Sequence, residues 1–486
     1  MQKIRVALIV FFCLVLTLSI YAWYSTSRIQ SLFISIPAFT EQEHLPGGEM
    51  TAKRLSERTF IHAGRNVQGQ EKLSFWTGFS LFRDPWVIAP SSTSDRDGLG
   101  PLFNTRSCIS CHLAGARGHA PIIGVSKPSA LVIRLGPKQS GSGLWADKNY
   151  GDQIQPRAIP IEHHSLSKKL QGEAKLDLEY TELVGAYADG ASYSLREPMY
   201  KLVELSQGDI QENIGMSPRF APVIYGLGLI EAISQQDLLS QEDIDDDNND
   251  GISAKYNRVF NTGSHSEMNA IGRFGLKAKH SSLRRQIGAA FRDDIGITNA
   301  MFEFETCSHS QQDCVQASVL GEQASVELPD KLLDLVAVFT RSLAVPPARN
   351  LEAKEAQEGR RIFYEAQCAS CHTPHYVTST DYPVKTLSGQ SIYPYSNFAL
   401  HDMGEALADT VHEFSANGRE WRTPPLWGLG LQQRYNKNAV FLHDGRARNI
   451  EEAILWHGGE AKQSQELFIN MSLSERNALL TFLKAI

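Results

Sequence analysis

Two stretches of the chain have the same form, Cys108-Ile-Ser-Cys111-His112 and Cys368-Ala-Ser-Cys371-His372. In this pentapeptide two thiols lie one helical turn apart, so they can reach the two vinyl groups of one porphyrin. The histidine that follows at once can then lie under the iron as its proximal ligand. The motif predicts covalent attachment of haem c, and its two copies predict two haem groups.

Zinc and dithiol chemistry are the alternatives for these cysteines. A structural zinc site could also use two Cys-x-x-Cys pairs, but such pairs normally lie closer in sequence than Cys111 and Cys368 and do not require a histidine after each. Redox-active dithiols use the same spacing, but they favour a strand-to-helix turn without that histidine. Haem attachment at both motifs is the interpretation that uses every residue of the pattern.

The overall composition is that of an ordinary globular protein. The chain has 486 residues, of which 42% are hydrophobic, and is long enough for roughly two or three packed cores. Its 47 basic and 54 acidic residues give a net charge of -7. Nucleic-acid-binding proteins carry a basic excess that matches the phosphate backbone. We therefore expect no nucleic acid partner.

The N-terminal segment, residues 1–30, predicts a membrane anchor. Lys3 and Arg5 precede an uncharged, nearly apolar run over residues 6–24. This run approaches the roughly 20 residues that a spanning helix needs, and its basic flank predicts a cytoplasmic N-terminus. A cleaved secretory signal is the alternative, although its apolar core is usually shorter. Either way the globular part is exported, and with an uncleaved anchor the protein is a single-pass inner-membrane protein facing the periplasm.

Three further cysteines lie outside the two motifs. Cys13 lies within the apolar run and lacks the small residues that precede a lipoprotein acylation site, so it receives no role. Cys307 and Cys314 close a short polar loop. In an oxidising compartment this pair predicts a disulfide, with two free thiols as the alternative.

The proline-containing stretch over residues 343–350 marks a domain boundary, because it breaks helical continuity. We predict an N-terminal haem domain over residues 44–345 with a large insertion, and a C-terminal cytochrome c domain over residues 351–486. The last helix, with Ser474 as its predicted N-cap, is typical of cytochrome c. The predicted fold is mainly α, with two cytochrome c-like haem domains, the first enlarged by insertions, behind one N-terminal transmembrane helix.

A short internal repeat, which we call the internal echo, supports a duplicated haem domain. Residues 222–229 align without gaps with residues 424–431, and each copy follows its own haem motif. A proline carbonyl in each copy, Pro222 or Pro424, could accept the N–H of the proximal imidazole and orient its ring. A shared tight turn is the alternative.

An acidic loop lies in the insertion between the two motifs. Asp246, Asn248 and Asp250 place oxygen ligands at alternate positions before Gly251, as a calcium loop does. The twelfth position of that loop is Asn257 rather than glutamate. Calcium is therefore a possible cofactor, and a solvated acidic turn is the alternative.

Several blocks of sequence resemble the dihaem oxidoreductase family, which is described as peroxidases and is similar to bacterial dihaem cytochrome c peroxidases. The blocks are residues 97–104, 272–278, 422–431, 441–447 and 451–459. Leu276 departs from the pattern, where tryptophan is expected. The resemblance implies two haem groups with different tasks: one stores an electron, and the other opens a position for peroxide.

For the C-terminal haem, the resemblance implies a methionine as the sixth iron ligand. Met403 lies downstream of the second motif and ahead of the Pro424 block, as that methionine does. A thioether ligand raises the reduction potential, which suits a haem that accepts electrons. His401 is the alternative ligand, and core packing is the alternative role for Met403.

The N-terminal haem, on His112, is the implied reaction centre. Peroxide cleavage needs a group that moves a proton and a group that stabilises developing charge. Glu231 and Arg219 are the candidate catalytic residues, and a structural salt bridge is the alternative for Glu231. A resting form could instead use a histidine on this iron, and the candidates are His62, His163 and His164.

The resemblance implies an oxidoreductase that reduces hydrogen peroxide at the N-terminal haem with electrons relayed by the C-terminal haem. The donor would be a small periplasmic protein or a membrane cytochrome. Two alternatives remain: an electron-transfer cytochrome without peroxidase activity, and a dihaem enzyme that oxidises a partner protein or a metal. No relay residue is assigned between the haems, although four tryptophans are available: Trp86, Trp421, Trp427 and Trp456.

Overall fold

The computed structural model covers most of the chain after residue 35. The described residues are 36–56, 58–119, 123–124, 130–140, 145–160, 170–261, 268–320 and 326–486. The predicted anchor over residues 1–30 lies outside them. Within the described ranges no helix is both long and apolar enough to cross a membrane, so the transmembrane helix of the predicted fold class is not found there.

The prediction of a mainly α fold is wrong. The structure is 33% helical and 19% strand, and in the described chain the strands form two-stranded antiparallel pairs. The prediction rested on the helices around the haem motifs and overlooked the insertion between them. There, apolar side chains alternate with polar ones at Leu176, Leu178 and Tyr180, which is the period of a strand.

The helices and strands follow one another in mixed order. The helices are α1 (Gly69–Arg83), α2 (Leu227–Ala232), α3 (Gln235–Leu239), α4 (Leu283–Ala290), α5 (Gln312–Leu320), α6 (Asp330–Arg341), α7 (Lys354–Glu365), α8 (Cys368–Cys371), α9 (Gln432–Tyr435), α10 (Ile450–Leu455), α11 (Lys462–Asn470) and α12 (Leu473–Ala485). The strands pair as β1 (Leu102–Phe103) with β3 (Arg157–Ala158), β2 (Leu131–Pro137) with β6 (Ile214–Phe220), β4 (Lys175–Ala186) with β5 (Ser192–Val203), β7 (Arg258–Val259) with β8 (Ala270–Ile271), β9 (Tyr376–Val377) with β10 (Ser391–Ile392), and β11 (Leu400–Asp402) with β12 (Glu420–Arg422).

In the C-terminal half, α7 crosses α12 at a glycine. A Cβ atom on Gly359 would clash with the carbonyl oxygen of Ala478, so the two backbones approach more closely than any larger residue would permit. Helix α12 begins at a capping box in which Ser472 accepts from the Glu475 N–H and Glu475 accepts from the Ser472 N–H. The N-cap is therefore Ser472 rather than the predicted Ser474.

In the N-terminal half, α1 packs against α6 through aromatic side chains. The rings of Phe75 and Phe82 each lie 5.0 Å from the ring of Phe339, measured between centroids. Phe82 also lies 6.3 Å from the imidazole of His112. This aromatic layer therefore connects the packing of the two helices to the first haem motif.

The β4–β5 hairpin extends from the N-terminal half onto the C-terminal half. Its turn contains Gly190 at φ 86°. Beside the turn, the Tyr187 hydroxyl donates to Glu451 at 2.7 Å, and Arg476 lies 2.7 Å from Asp189. These bonds attach the insertion to α10 and α12, at the far end of the chain.

The two copies of the internal echo contact each other where the halves meet. Gly226 and Gly428 both have a left-handed backbone, with φ 73° and 70°, and each precedes a helical turn. The Tyr225 hydroxyl donates to the carbonyl oxygen of Trp427 at 3.0 Å. The tight turn that the echo allowed is therefore present in both copies, and equivalent residues meet across the interface.

A single buried cluster also draws on both halves. It contains Met50 and Phe339 from before the predicted boundary and Ile392 and Leu431 from after it. The core therefore continues across residues 345–351, and the domain limits stay a prediction.

Candidate haem sites

The two Cys-x-x-Cys-His motifs have the same local structure. The first begins as a short 3-10 turn and the second as helix α8, and in each the backbone N–H of the histidine donates to the carbonyl oxygen of the first cysteine. The backbone of His112 has φ -98° and ψ 70°, and that of His372 has φ -92° and ψ 62°. The chain therefore presents the same set of two sulfurs and one imidazole twice.

Burial disfavours the thiolate form of three of the four motif cysteines. It raises the pKa of Cys108 to about 12 and that of Cys368 to about 12, and it raises the pKa of Cys111 as well. Among the described residues, which include both motifs, no group of three His, Cys, Asp or Glu side chains is placed to hold a metal ion. A zinc site built from both pairs is therefore not found among these residues.

Both motif histidines are oriented by a backbone carbonyl. Nδ1 of His112 lies 2.8 Å from the carbonyl oxygen of Pro222, and Nδ1 of His372 lies 2.9 Å from that of Tyr395. A carbonyl only accepts, so Nδ1 carries the proton and Nε2 keeps its lone pair. The expected proline carbonyl is confirmed at Pro222, whereas at the second site Tyr395 takes the place predicted for Pro424.

Burial also keeps both imidazoles neutral. It lowers the pKa of His112, and it lowers the pKa of His372 to about 3, with a smaller contribution from nearby His457. A neutral imidazole with a fixed Nδ1 proton is the form that binds iron through Nε2.

An apolar cavity opens beside His372. Its walls combine the second motif with side chains from β11, β12, α10 and α11. Among the lining residues are Cys368, Cys371, His372, His401, Met403, Leu407, Trp421, Arg422, Pro424, Leu426, Phe441, His457 and Phe468, together with Arg117 from the N-terminal half. Two thiols, a neutral imidazole and apolar walls are what a covalently attached haem requires, so the residues present fit this cofactor.

Met403 and His401 both line this cavity, but they differ in availability. Both ring nitrogens of His401 are engaged: Nδ1 lies 2.7 Å from a carboxylate oxygen of Glu460, and Nε2 lies 3.0 Å from the amide of Asn397. Burial by itself would lower the pKa of His401. Cys371 and Glu460 outweigh this effect and raise the pKa to about 10. Met403 therefore stays the predicted sixth ligand, and His401 would have to break two contacts to replace it.

His457 is a candidate sixth ligand that the sequence analysis did not single out. It follows α10 and lines the same cavity as His372. Its Nδ1 lies 2.7 Å from the carbonyl oxygen of Ala453, and burial lowers its pKa, so Nε2 is left with a lone pair. The signal in the sequence was a lone histidine between an apolar helix and the pair Gly458-Gly459.

The chain matches one protein family over residues 41–138 and 148–486, and that family is described as di-haem oxidoreductase, putative peroxidase. The chain belongs to this family. The resemblance seen in the sequence blocks is thereby confirmed, and two haem groups are implied. Neither a curated protein nor a solved structure matches the chain.

In this di-haem oxidoreductase, the surroundings of the first motif include a half-buried carboxyl. Asp294 lies on a π-helical turn, Phe291–Ile295, and its carboxylate accepts from Gln153 at 2.9 Å. Burial raises its pKa to about 6, and its charge in turn raises the pKa of Cys108 and Cys111. Asp294 is therefore a titratable group beside the first haem motif, and no pattern in the sequence pointed to it.

The two predicted catalytic residues of the oxidoreductase have separate partners. Glu231 lies 2.5 Å from Arg341 and also accepts from the Tyr382 hydroxyl at 2.8 Å. Arg219 lies 2.8 Å from Glu413 and belongs to a buried ion-pair network. Both side chains have the environment of structural ion pairs, and their catalytic roles stay predictions.

The remaining histidine candidates for the first iron stay predictions. The ring of His62 contacts the Ser56 hydroxyl at 2.8 Å. His163 and His164 lie outside the described residues. Of the tryptophans, Trp421 lines the second cavity and stacks on His443 with 3.7 Å between centroids.

The acidic loop of the oxidoreductase is exposed and satisfies its own backbone. Asp246 accepts from the N–H groups of Asp250 and Gly251, both at 3.0 Å, and Asn248 accepts from Asp250 at 2.8 Å. Calcium binding stays a prediction. Cys307 and Cys314 form the predicted disulfide.

Proposed function

We propose that this di-haem oxidoreductase reduces hydrogen peroxide at an iron held by His112, with electrons relayed by a second haem held by His372. The difference between the two sites carries the proposal. The cavity of His372 offers two further iron ligands, His457 and Met403. The described residues beside the first motif include an aromatic ring, Phe82, and a titratable carboxyl, Asp294, which would suit a site that opens to substrate.

Covalent attachment of both haems is part of the proposal. The two sulfurs of each motif lie one turn apart, and the same backbone bond fixes both turns. When bound, each haem would supply one-electron redox chemistry, and an iron with an open position would supply cleavage of the peroxide O–O bond.

The chain itself would supply orientation and proton transfer at the first site. Pro222 fixes the Nδ1 proton of His112, which directs Nε2 away from the carbonyl. Asp294 is our candidate for the group that takes a proton from peroxide and returns it to the departing oxygen. With a pKa of about 6 it is mostly ionised at pH 7 and can still be reprotonated.

A short connected path supports relay between the two sites. The imidazole of His112 bonds Pro222, and three residues later Tyr225 bonds the backbone of Trp427. Trp427 directly follows Leu426, which lines the second cavity. The contact between the two echo segments therefore connects the surroundings of the two haem motifs, and we assign the relay to it.

We also propose a periplasmic location, with attachment to the inner membrane through residues 1–30. The disulfide between Cys307 and Cys314 supports an oxidising compartment. A small periplasmic electron donor or a membrane cytochrome would then be within reach. Cell fractionation with protease accessibility tests this location.

The deciding experiment is a spectroscopic titration of the full haem-loaded chain in detergent. The protein is reduced by one electron and then exposed to hydrogen peroxide, with the fully oxidised protein as the control. We expect a high-spin haem to appear on half-reduction and to be consumed in proportion to added peroxide. Two low-spin haems that ignore peroxide in every redox state would refute the peroxidase and leave an electron-transfer cytochrome.

A further inference from the structure

Among the described residues, the cavity beside His372 is lined by two cations and by no matching anion. Its charged lining residues, apart from histidines, are Arg117 and Arg422, and in the described chain no Asp or Glu lines it. Among the described residues, neither guanidinium has a carboxylate as an ion-pair partner. Both arginines are half-buried, and burial lowers the pKa of each to about 10.

Backbone carbonyls fix each arginine through two of its three guanidinium nitrogens. Arg117 donates from Nε to Val440 at 2.7 Å and from Nη2 to Leu442 at 2.8 Å. Arg422 donates from Nε to Gly275 at 3.0 Å and from Nη1 to Thr423 at 3.2 Å. Among the described residues, Nη1 of Arg117 and Nη2 of Arg422 have no hydrogen-bond partner.

We propose that Arg117 and Arg422 form an anion site for the two propionate carboxylates of the haem bound at His372. The assignment rests on the proposed function, in that it requires a haem in this cavity. Haem carries two carboxylates, and the cavity holds two cations whose forks are already positioned and whose remaining N–H groups lack acceptors. Charge-assisted bonds from guanidinium to carboxylate are among the strong hydrogen bonds of proteins.

Arg117 also makes the second haem site depend on the first half of the chain. It lies five residues after His112, in the segment that follows the first motif. Its backbone N–H donates to Gln432, and its carbonyl accepts from Asn436. The first haem segment is thus tied to α9 and reaches into the cavity of the second haem.

A purely structural role for these arginines predicts a different outcome from a propionate site. Ferric haem carries one more positive charge than ferrous haem, so a nearby cation disfavours the ferric form and raises the reduction potential. Removing the cation would leave a buried propionate unpaired and lower the potential further. An arginine that only braces the loops at residues 440–442 would not shift the potential in this way.

The test is redox titration of the full haem-loaded protein with Arg117→Gln and Arg422→Gln variants. Lysine variants at both positions keep the charge, and Arg434→Gln is the matched control because Arg434 is exposed and does not line the cavity. We expect each cavity glutamine to favour the ferric form of the His372 haem at least tenfold, which is 59 mV for one electron. The reduction potential of the His112 haem should stay unchanged.

The lysine variants separate charge from folding. Recovery of more than half of the shift in Arg117→Lys or Arg422→Lys is expected from a charge effect. Unchanged potentials in both glutamine variants, or a shift of equal size in Arg434→Gln, would overturn the assignment. Haem content is measured in parallel, and wild-type protein without haem at Cys368 and Cys371 would refute the proposed function itself.

Discussion

Replacing Glu231 by glutamine separates structural stability from catalysis, because the carboxylate has defined partners. It lies 2.5 Å from Arg341, and it accepts from the Tyr382 hydroxyl and the Leu283 N–H, each at 2.8 Å. The side chain of Glu231 is 9% exposed and that of Arg341 is 23% exposed. Breaking a buried pair from one side costs about 3–5 kcal/mol, and since Arg341 keeps some contact with water we expect about 2–3 kcal/mol for Glu231→Gln.

The matched variant removes the other partner of the same ion pair. Arg341→Gln leaves the buried carboxylate unpaired and should therefore destabilise more, by about 3–5 kcal/mol. The double variant should cost less than the sum of the two single changes, because both remove the same interaction. Urea unfolding measures the free energies, and peroxide turnover per folded haem protein should stay within twofold of wild type in all three variants.

One result would refute this reasoning. If Glu231→Gln unfolds like wild type, within about 0.5 kcal/mol, but loses peroxide turnover, then Glu231 acts on the substrate. The ion pair with Arg341 would in that case be a way of positioning a catalytic carboxylate rather than a brace between α2 and α6.

Three further outcomes are expected. Met403→Ala should convert the low-spin C-terminal haem to high spin in the absorption spectrum while the matched His457→Ala leaves it low-spin, and the reverse pattern would make His457 the ligand. Asp294→Asn should remove an inflection near pH 6 from the rate of peroxide reduction, since a base must be ionised to act and activity should therefore rise as pH rises through its pKa of about 6; an unchanged profile would exclude Asp294. Serine at both Cys368 and Cys371 should leave one covalently bound haem instead of two on a denaturing gel stained for haem, and two stained equivalents would contradict covalent attachment there.

The haem motifs could be recognised from sequence because their chemistry is local. Five consecutive residues place two sulfurs and an imidazole on one turn, and the structure gives both copies nearly the same backbone angles. The same holds for the disulfide between Cys307 and Cys314, which closes a loop of adjacent residues.

The fold is harder to predict, because the haem motifs suggest helices while the insertion between them has the residue pattern of strands. The alternation at Leu176, Leu178 and Tyr180 and the Asp189-Gly190 turn are hairpin signals that the sequence contained. The haem motifs predict helices only in their own surroundings. In the insertion between the motifs, the period-2 alternation favours strands.

The sequence by itself determined where we propose that the haems are attached, because the two cysteines and the histidine of each motif are neighbours in the chain. Tertiary structure alone decided what surrounds those haems, because side chains such as His457 and Arg117 lie far from Cys368 in sequence and meet it only through folding. It likewise paired Glu231 with Arg341, 110 residues away. No local periodicity carries that information, since the energy of such contacts depends on burial and on partners that the chain brings together from a distance.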